Sequence, residues 1–298
     1  MPTFTPDNIT VLENKSGEIP VEQGNLIIGE IMQNSVFMNL AKYEEMKGQV
    51  KEFDVMTDGL SAYWVGEGEK IQTSKPTLIK VRMVAKKLGI IVPVSREYLT
   101  YKVPDFFDKV KPLVSEAFYK KLDAAAILGI DNPFEFSVDK AATESTVTGD
   151  LTGENFDLTL DKLYDNGITP NAYVSTVMNT SLLRKVTRPS NGINIQVFDA
   201  ANGTLDGVPV FNVHKDTGMK KGTLYMGDFD NAYYGIPYNM SYLISEDATI
   251  STIKDESGEP INLFERELAA LRVTMDIGIM IPKDEAFAKL TPTVVEGE

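Results

Sequence analysis

The sequence predicts an α+β fold, and three observations carry that prediction. Residues 50 to 87 read as a long hairpin, because VKEFDVM is strand-like and TLIKVRMVAKK alternates, with Thr77, Ile79, Val81 and Met83 on one face and Lys80 and Arg82 on the other. Residues 104 to 129 read as one long helix. Phe107, Val110, Val114, Ala117, Leu122, Ala125 and Leu128 fall at three- and four-residue steps and make a single apolar stripe. A series of short strands then fills the second half, in AYVSTVMN, LDGVPVFNV, GTLYMGDF and NAYYGI.

Taken in order, residues 1 to 24 hold Pro2, Pro6, Gly17, Pro20 and Gly24 without sustained periodicity, which predicts an extended arm ordered by a neighbour. A helix is expected from Leu26 to about Tyr43, with Ile27, Ile31, Phe37 and Leu40 on one face, although Asn34 and Ser35 interrupt the pattern. Between the two limbs of the hairpin lies TDGLSAYWVGEGEK, a glycine-punctuated excursion that holds Trp64, the only tryptophan. After the hairpin come the apolar strand GIIVPV and a short helix, SREYLTYK, capped by Ser95. Pro104 opens the long helix, and Pro112 inside it predicts a kink or a restart. The stretch NFDLTLDKLYDNG is helical and ends at Gly167, MNTSLLRKV passes from strand to helix, and RPSNGINIQVFDAANGT is expected as a loop. SYLISED, a turn through DESGEP and the apolar run LFERELAALRVTMDIGIMIPKDEAFAKL close the chain.

Composition narrows the function. The 298 residues, 43% of them apolar, suffice for one large domain or two smaller ones. No apolar run approaches the roughly 20 residues that cross a bilayer, and the start MPTFTPDNIT has neither the basic region nor the apolar stretch of a secretion signal. Synthesis in the cytosol, without membrane contact, is the expectation. With no cysteine there is no disulfide framework, thiolate metal site or cysteine nucleophile.

Acidic residues outnumber basic ones 43 to 29, a formal net charge of −14, which argues against a broad grip on phosphate backbones. The basic residues are unevenly spread. Lys70, Lys75, Lys80, Arg82, Lys86 and Lys87 follow one another with no acid between them, and removing these six leaves 23 basic against 43 acidic residues, a net −20. An acidic body with one basic ribbon leaves three readings open: a solvated strand face, contact with nucleic acid, for which only Tyr63 and Trp64 lie near as stacking partners, and a ribbon that lies across the acidic body of another copy.

The search for chemistry finds little. His214 is the single histidine, in the loop HKDTG, so any Ser-His-Asp triad would rest on it alone. Asp216, Thr217 and Gly218 match the core of the aspartic-protease signature, yet His214, Lys215, Lys220 and Lys221 flank them, and a hairpin turn is the expectation. Glu67 and Glu69 form a pair in open surroundings unsuited to acid-base work. GEGEK lacks phosphate-loop spacing, and no metal-ligand spacing occurs. No catalytic residue, cofactor or metal is expected.

The order of motifs from Leu26 to Leu290 resembles the major capsid proteins of tailed bacteriophages with the HK97-type fold. The resemblance rests on W-V-G-E-G-E at 64 to 69 before a basic return strand, S-R-E-Y-L at 95 to 99 feeding a helix that closes on I-L-G at 127 to 129, L-D-G-V-P-V at 205 to 210, G-D-F at 227 to 229, and R-V-T-M-D-I-G-I-M-I-P-K-D-E-A-F-A-K-L at 272 to 290. It implies an N-terminal arm at 1–24, an extended (E) loop at 50–87, a discontinuous peripheral (P) domain at 25–49, 88–132 and 241–266 with the long helix as its spine, an axial (A) domain at 133–240 and 267–290, and a tail at 291–298. By the same resemblance the chain builds hexamers and pentamers of an icosahedral shell around double-stranded DNA, without reading its sequence, and works with a portal. The virion capsid is its implied location, assembled in the cytoplasm of a bacterial host.

Trp64, Glu67, Glu69, Lys70, Lys75, Lys80 and Arg82 are then expected at the contact between subunits. Some family members are crosslinked from an E-loop lysine, but neither Lys70 nor Lys75 aligns with the reactive position, and no crosslink is assigned. Met1 stands almost directly before the arm, so scaffolding is expected from a separate protein. The alternative on the same fold is an encapsulin nanocompartment shell around a cargo enzyme, whose members typically begin with a helix.

Overall fold

A computed structural model of the chain describes residues 29–56, 62–67, 70, 73–74, 78–97, 103–190, 193–238, 240–254 and 258–293. The expected arm at 1–24, the tip residues Glu69 and Lys75 and most of SREYLTYK lie outside these.

The helix expected from Leu26 to Tyr43 is two pieces. Residues 29–34 are helical, and after Ser35 the short α1 (Val36–Leu40) begins. The break is imposed from elsewhere in the chain, by Asp123, which is 1% exposed. Its carboxylate accepts from Ser35 Oγ at 2.6 Å, from Val36 N at 3.0 Å and from Phe37 N at 3.1 Å. The opening N–H groups of a helix have no partner within it. Here a buried anion from another element supplies one, while Ser35 Oγ accepts from Met38 N.

After β1 (Lys42–Tyr43) come β2 (Val50–Met56) and β3 (Leu78–Ser95). The return limb of the hairpin and GIIVPV, read separately in the sequence, are one strand of 18 residues. Pro93 falls in the half of β3 that β2 does not reach, an edge position that proline tolerates. The long helix α2 (Val103–Ala126) passes through Pro112 as a single element, without the restart the proline predicted.

The second half runs α3 (Val138–Ala141), β4 (Thr146–Thr148), α4 (Gly153–Asp165), β5 (Ala172–Thr176), α5 (Thr180–Leu183), β6 (Thr187–Ser190), β7 (Ile193–Gln196), β8 (Phe198–Asp199), β9 (Thr204–Leu205) and β10 (Val208–Val213). It continues through β11 (Leu224–Gly227), β12 (Tyr233–Gly235), β13 (Ser241–Ser245), β14 (Thr249–Lys254), β15 (Pro260–Asn262), β16 (Leu268–Met280) and β17 (Phe287–Thr291). The stretch read as a loop, RPSNGINIQVFDAANGT, contains the hairpin β6–β7. Its signal was present in Asn191-Gly192, a two-residue turn pair followed by isoleucines. LDGVPVFNV, expected as one strand, is instead divided by the turn from β9 to β10, where Asp206 and Gly207 take φ values of 53° and 79°, as a type I′ turn requires.

Two sheets organise the molecule. The six-stranded sheet runs β1-β12-β16-β3-β2, with β13 also on β16, and the seven-stranded sheet runs β4-β17-β11-β5-β10-β9-β8. The segment 267–290, grouped with 133–240 by the resemblance, contributes strands to both sheets. β16 pairs along β3, from Leu268 opposite Ser95 to Gly278 opposite Ala85, and β12 joins the same sheet, whereas β17 belongs to the other. Flanked by β3 on one side and by β12 and β13 on the other, β16 is an interior strand, buried along most of its length, and its sequence names no partner. Among the described residues of 241–266, β13 extends this sheet, while β14 and β15 pair with each other.

The largest core packs Val114, Phe118 and Leu122 of α2 with Val273, Ile277 and Phe37. A second lies beneath α4, where Phe156, Leu160 and Leu163 stand on one face against Tyr173, Leu224 and Leu290. Thr152 caps α4 by accepting from Asn155 N. Gly153 sits so close to β6 that a Cβ there would fall 2.1 Å from the Thr187 carbonyl oxygen. Arg188 of β6 then bonds Asp157 of α4 and Asp206 of the β9–β10 turn, which ties the hairpin to its base.

Candidate assembly surface

The hairpin β2–β3 is paired from Val50 opposite Val84 to Met56 opposite Leu78. Its base is anchored: Phe53 and Val81 pack on a small cluster of Met46, Met83, Ala85 and Met280, with the Phe53 ring 6.5 Å from that of Tyr233. Toward the tip the packing ends, and Leu78 and Ile79 are exposed.

At the tip, Trp64 is 104% exposed, and Tyr63 and Val65 beside it are 47% and 38% exposed. Glu67 and Lys70 are likewise exposed. A fully hydrated indole on an extended hairpin has no folding role in the subunit. Large exposed apolar groups of this kind mark contact sites, and tryptophan is enriched among the residues that dominate interfaces.

The basic ribbon is less uniform in space than in sequence. Arg82 Nε pairs with Glu52 Oε1 at 2.9 Å, and Lys80 stands opposite Asp54. β2 therefore supplies the acids that the run from Lys70 to Lys87 lacks. The sequence could not show this, because the compensation depends on strand register. Lys86 and Lys87 lie beyond the end of β2 and form no ion pair among the described residues.

The DTG triplet is a 3-10 turn, Lys215–Thr217, rather than a hairpin turn. His214 Nδ1 accepts from Asp216 N at 3.2 Å. Lys120 of α2 donates to Asp216 at 2.9 Å and also pairs with Glu116. Its hydrogen bond holds the Asp216 carboxyl below its ordinary value, and the same cation lowers that of Glu116. A proteolytic dyad needs one carboxyl pushed up so that the pair shares a proton. Here a lysine stands between two ionised carboxylates, and the turn is fastened to the long helix.

An extended hairpin with an exposed aromatic tip, a long helix across one sheet and a second sheet beyond define a shell subunit of the capsid class. The phage capsid family model matches residues 18–291, and the chain belongs to that family. It is 44% identical over 292 residues to the major capsid protein of Staphylococcus phage 80alpha, covering 97% of this chain and 89% of that one. It is 25% identical over 293 residues to the probable major capsid protein gp17 of Mycobacterium phage L5. Among solved structures, a chain of Microbacterium phage Oxtober96 superposes with a TM-score of 0.72 at 20% identity, over 98% of this chain and 96% of that chain. The capsid of a native GTA particle superposes with a TM-score of 0.63 at 14% identity, over 99% of this chain and 95% of that chain. These likenesses establish the HK97-like α+β fold, and family and relatives together support major capsid function rather than a cargo-enclosing nanocompartment.

Proposed function

We propose that this chain assembles into hexamers and pentamers of an icosahedral head that encloses double-stranded DNA, with the β2–β3 hairpin of each subunit lying on a neighbour. The observation that carries the reading is Trp64, fully hydrated at the end of an anchored hairpin. In this account residues 1–24 are an arm, 50–87 the E-loop, α2 the spine of the P domain, and the seven-stranded sheet with α4 the body of the A domain. The protein is structural and non-enzymatic. Its net charge of −14 suits a shell that does not hold the packaged DNA by its backbone. A portal and a separate scaffolding protein are its partners, and assembly takes place in the host cytoplasm.

Electron microscopy of the purified protein under assembly conditions tests this reading. Closed shells built of capsomers are expected; dispersed subunits at every concentration and ionic strength, with and without scaffold, contradict it.

The charges of the hairpin make a second expectation. Reversing Lys80 and Arg82 to glutamate sets like charges opposite Asp54 and Glu52, at about 0.2–1 kcal/mol for each pair, and removes the basic face from a neighbour's acidic surface. Screening acts strongly on exposed charges. Light scattering is therefore expected to show slower assembly of the double variant at low salt, with most of the deficit recovered at high salt. A deficit of equal size at both would remove charge from the contact.

A further inference from the structure

The two ends of the seven-stranded sheet carry opposite charges. At one end is a notch, formed where the turn before β17 meets the segment before β4 and the last turn of α4, and Glu144, Asp165, Asp284 and Glu285 line it. None of these four carboxylates has an ion pair among the described residues, and Lys162 is the one cation in the lining. Ser145 lines the notch too. It is 8% exposed, and its hydroxyl has no hydrogen-bond partner among the described residues. A buried hydroxyl left open beside four carboxylates is placed to accept from a donor that enters, and an ammonium group brings three donors and the opposite charge.

At the other end, the loop from β10 to β11 carries Lys215, Lys220 and Lys221, all exposed and without an ion pair among the described residues. Asp216 beside them is already held by Lys120. The loop is fixed from beneath, where the fully buried Asn179 accepts from Gly222 N at 2.6 Å and donates to the Thr223 carbonyl at 2.7 Å. A loop held in this way gives up little freedom on binding. Leu224 pairs with Leu290 and Gly227 with Phe287, so the loop stands at the end of β17 and the notch at its start. A five-residue strand, about 17 Å long, separates them within one chain. Complementary patches at opposite ends of one body make a head-to-tail contact between copies, the kind that closes rings.

We infer that the loop bearing Lys220 and Lys221 of one subunit enters the acidic notch of a second copy, with its ammonium groups among Glu144, Asp165, Asp284 and Glu285 and the Ser145 hydroxyl accepting from one of them. The occupant is a copy of this chain because the matching charge, already fixed in place, stands on the same sheet. This rests on the proposed shell function and adds a contact that uses neither Trp64 nor the β2–β3 hairpin. Opposed charges of this kind select which surfaces meet and speed their encounter, and like charges set against one another there oppose it.

Charge exchange between separate chains tests it. Lys220→Glu with Lys221→Glu makes both ends of the sheet acidic, and Asp284→Lys with Glu285→Lys makes both basic. Each double variant alone is expected to need at least about tenfold more protein than the native chain to assemble at low salt, as followed by sedimentation. All four side chains are exposed, so the thermal midpoint of each free subunit should stay in place. Mixed in equal amounts, the two variants offer every loop an opposite notch, and the threshold is expected to return to within about threefold of the native one. No recovery in the mixture, or an unchanged threshold for either variant alone, overturns the inference; a defect confined to the Asp284 and Glu285 variant would place a different basic partner in the notch. Should a reversed variant not fold, the neutral Lys220→Gln with Lys221→Gln is expected to raise the threshold about threefold at low salt and little at high salt, and no rise overturns the inference. If the native chain itself forms no shell, the shell reading fails and this contact with it.

Discussion

Replacing Asp123 by alanine is expected to lower the stability of the free subunit by about 3–5 kcal/mol, a large effect for one side chain. The substitution removes the acceptor of three hydrogen bonds and leaves Ser35 Oγ and the amides of Val36 and Phe37 facing a buried space. Each orphaned buried donor costs about 1–3 kcal/mol. Burial pushes the Asp123 carboxyl up to about 6 from 3.8, against the lowering effect of its Ser35, Val36 and Phe37 donors. The sign of the pH dependence follows. A carboxyl that holds its proton more tightly in the folded state burdens the fold when ionised; that burden is full above about pH 6 and gone below about 3.8. Urea unfolding at pH 7 and pH 5 is therefore expected to show the gap between the native subunit and Asp123→Ala widening on acidification. A gap that narrows contradicts this account of the buried carboxylate.

Trp64→Ala is expected to do the opposite: almost nothing to the free subunit and a great deal to assembly. A side chain that is 104% exposed contributes no packing to its own fold, so the thermal midpoint of the free subunit should stay in place. An aromatic anchor at an interface is worth about 2 kcal/mol or more. Each 1.4 kcal/mol is a factor of ten, so the protein concentration needed for assembly, followed by sedimentation, is expected to rise about thirtyfold or more. Burial of apolar area is much less sensitive to salt than paired surface charge. The deficit should accordingly persist at high ionic strength, unlike that of the Lys80 and Arg82 reversal. A fall in the subunit's own stability would mean that the tip packs within the chain.

How much of this was legible in the sequence depended on the range of the interaction. The return limb of the β2–β3 hairpin was readable because its alternation is local, whereas the β9–β10 turn was read through as strand although Asp206 and Gly207 announce it. The missed hairpin β6–β7 carried a comparable local signal in Asn191-Gly192. The break at Ser35 was visible only as a weak point, since its cause is a carboxylate 88 positions away. The membership of β16 in the sheet of β3 was not visible, because a largely buried strand does not show in its own sequence which strands it pairs with. Trp64 as an outlier could be read from its glycine and glutamate neighbours. The Arg82–Glu52 pair could not, since it depends on which strand lies alongside and in what register.

The central claim is that the hairpin tip is exposed in the subunit and buried between subunits. Trp64, as the only tryptophan, reports on it without labelling. Steady-state fluorescence of the free subunit and of purified particles in the same buffer is the direct test. Red-shifted emission in the free subunit that moves to the blue and resists aqueous quenchers in particles is the predicted result; blue emission already present in the free subunit, or an unchanged red emission in particles, contradicts it.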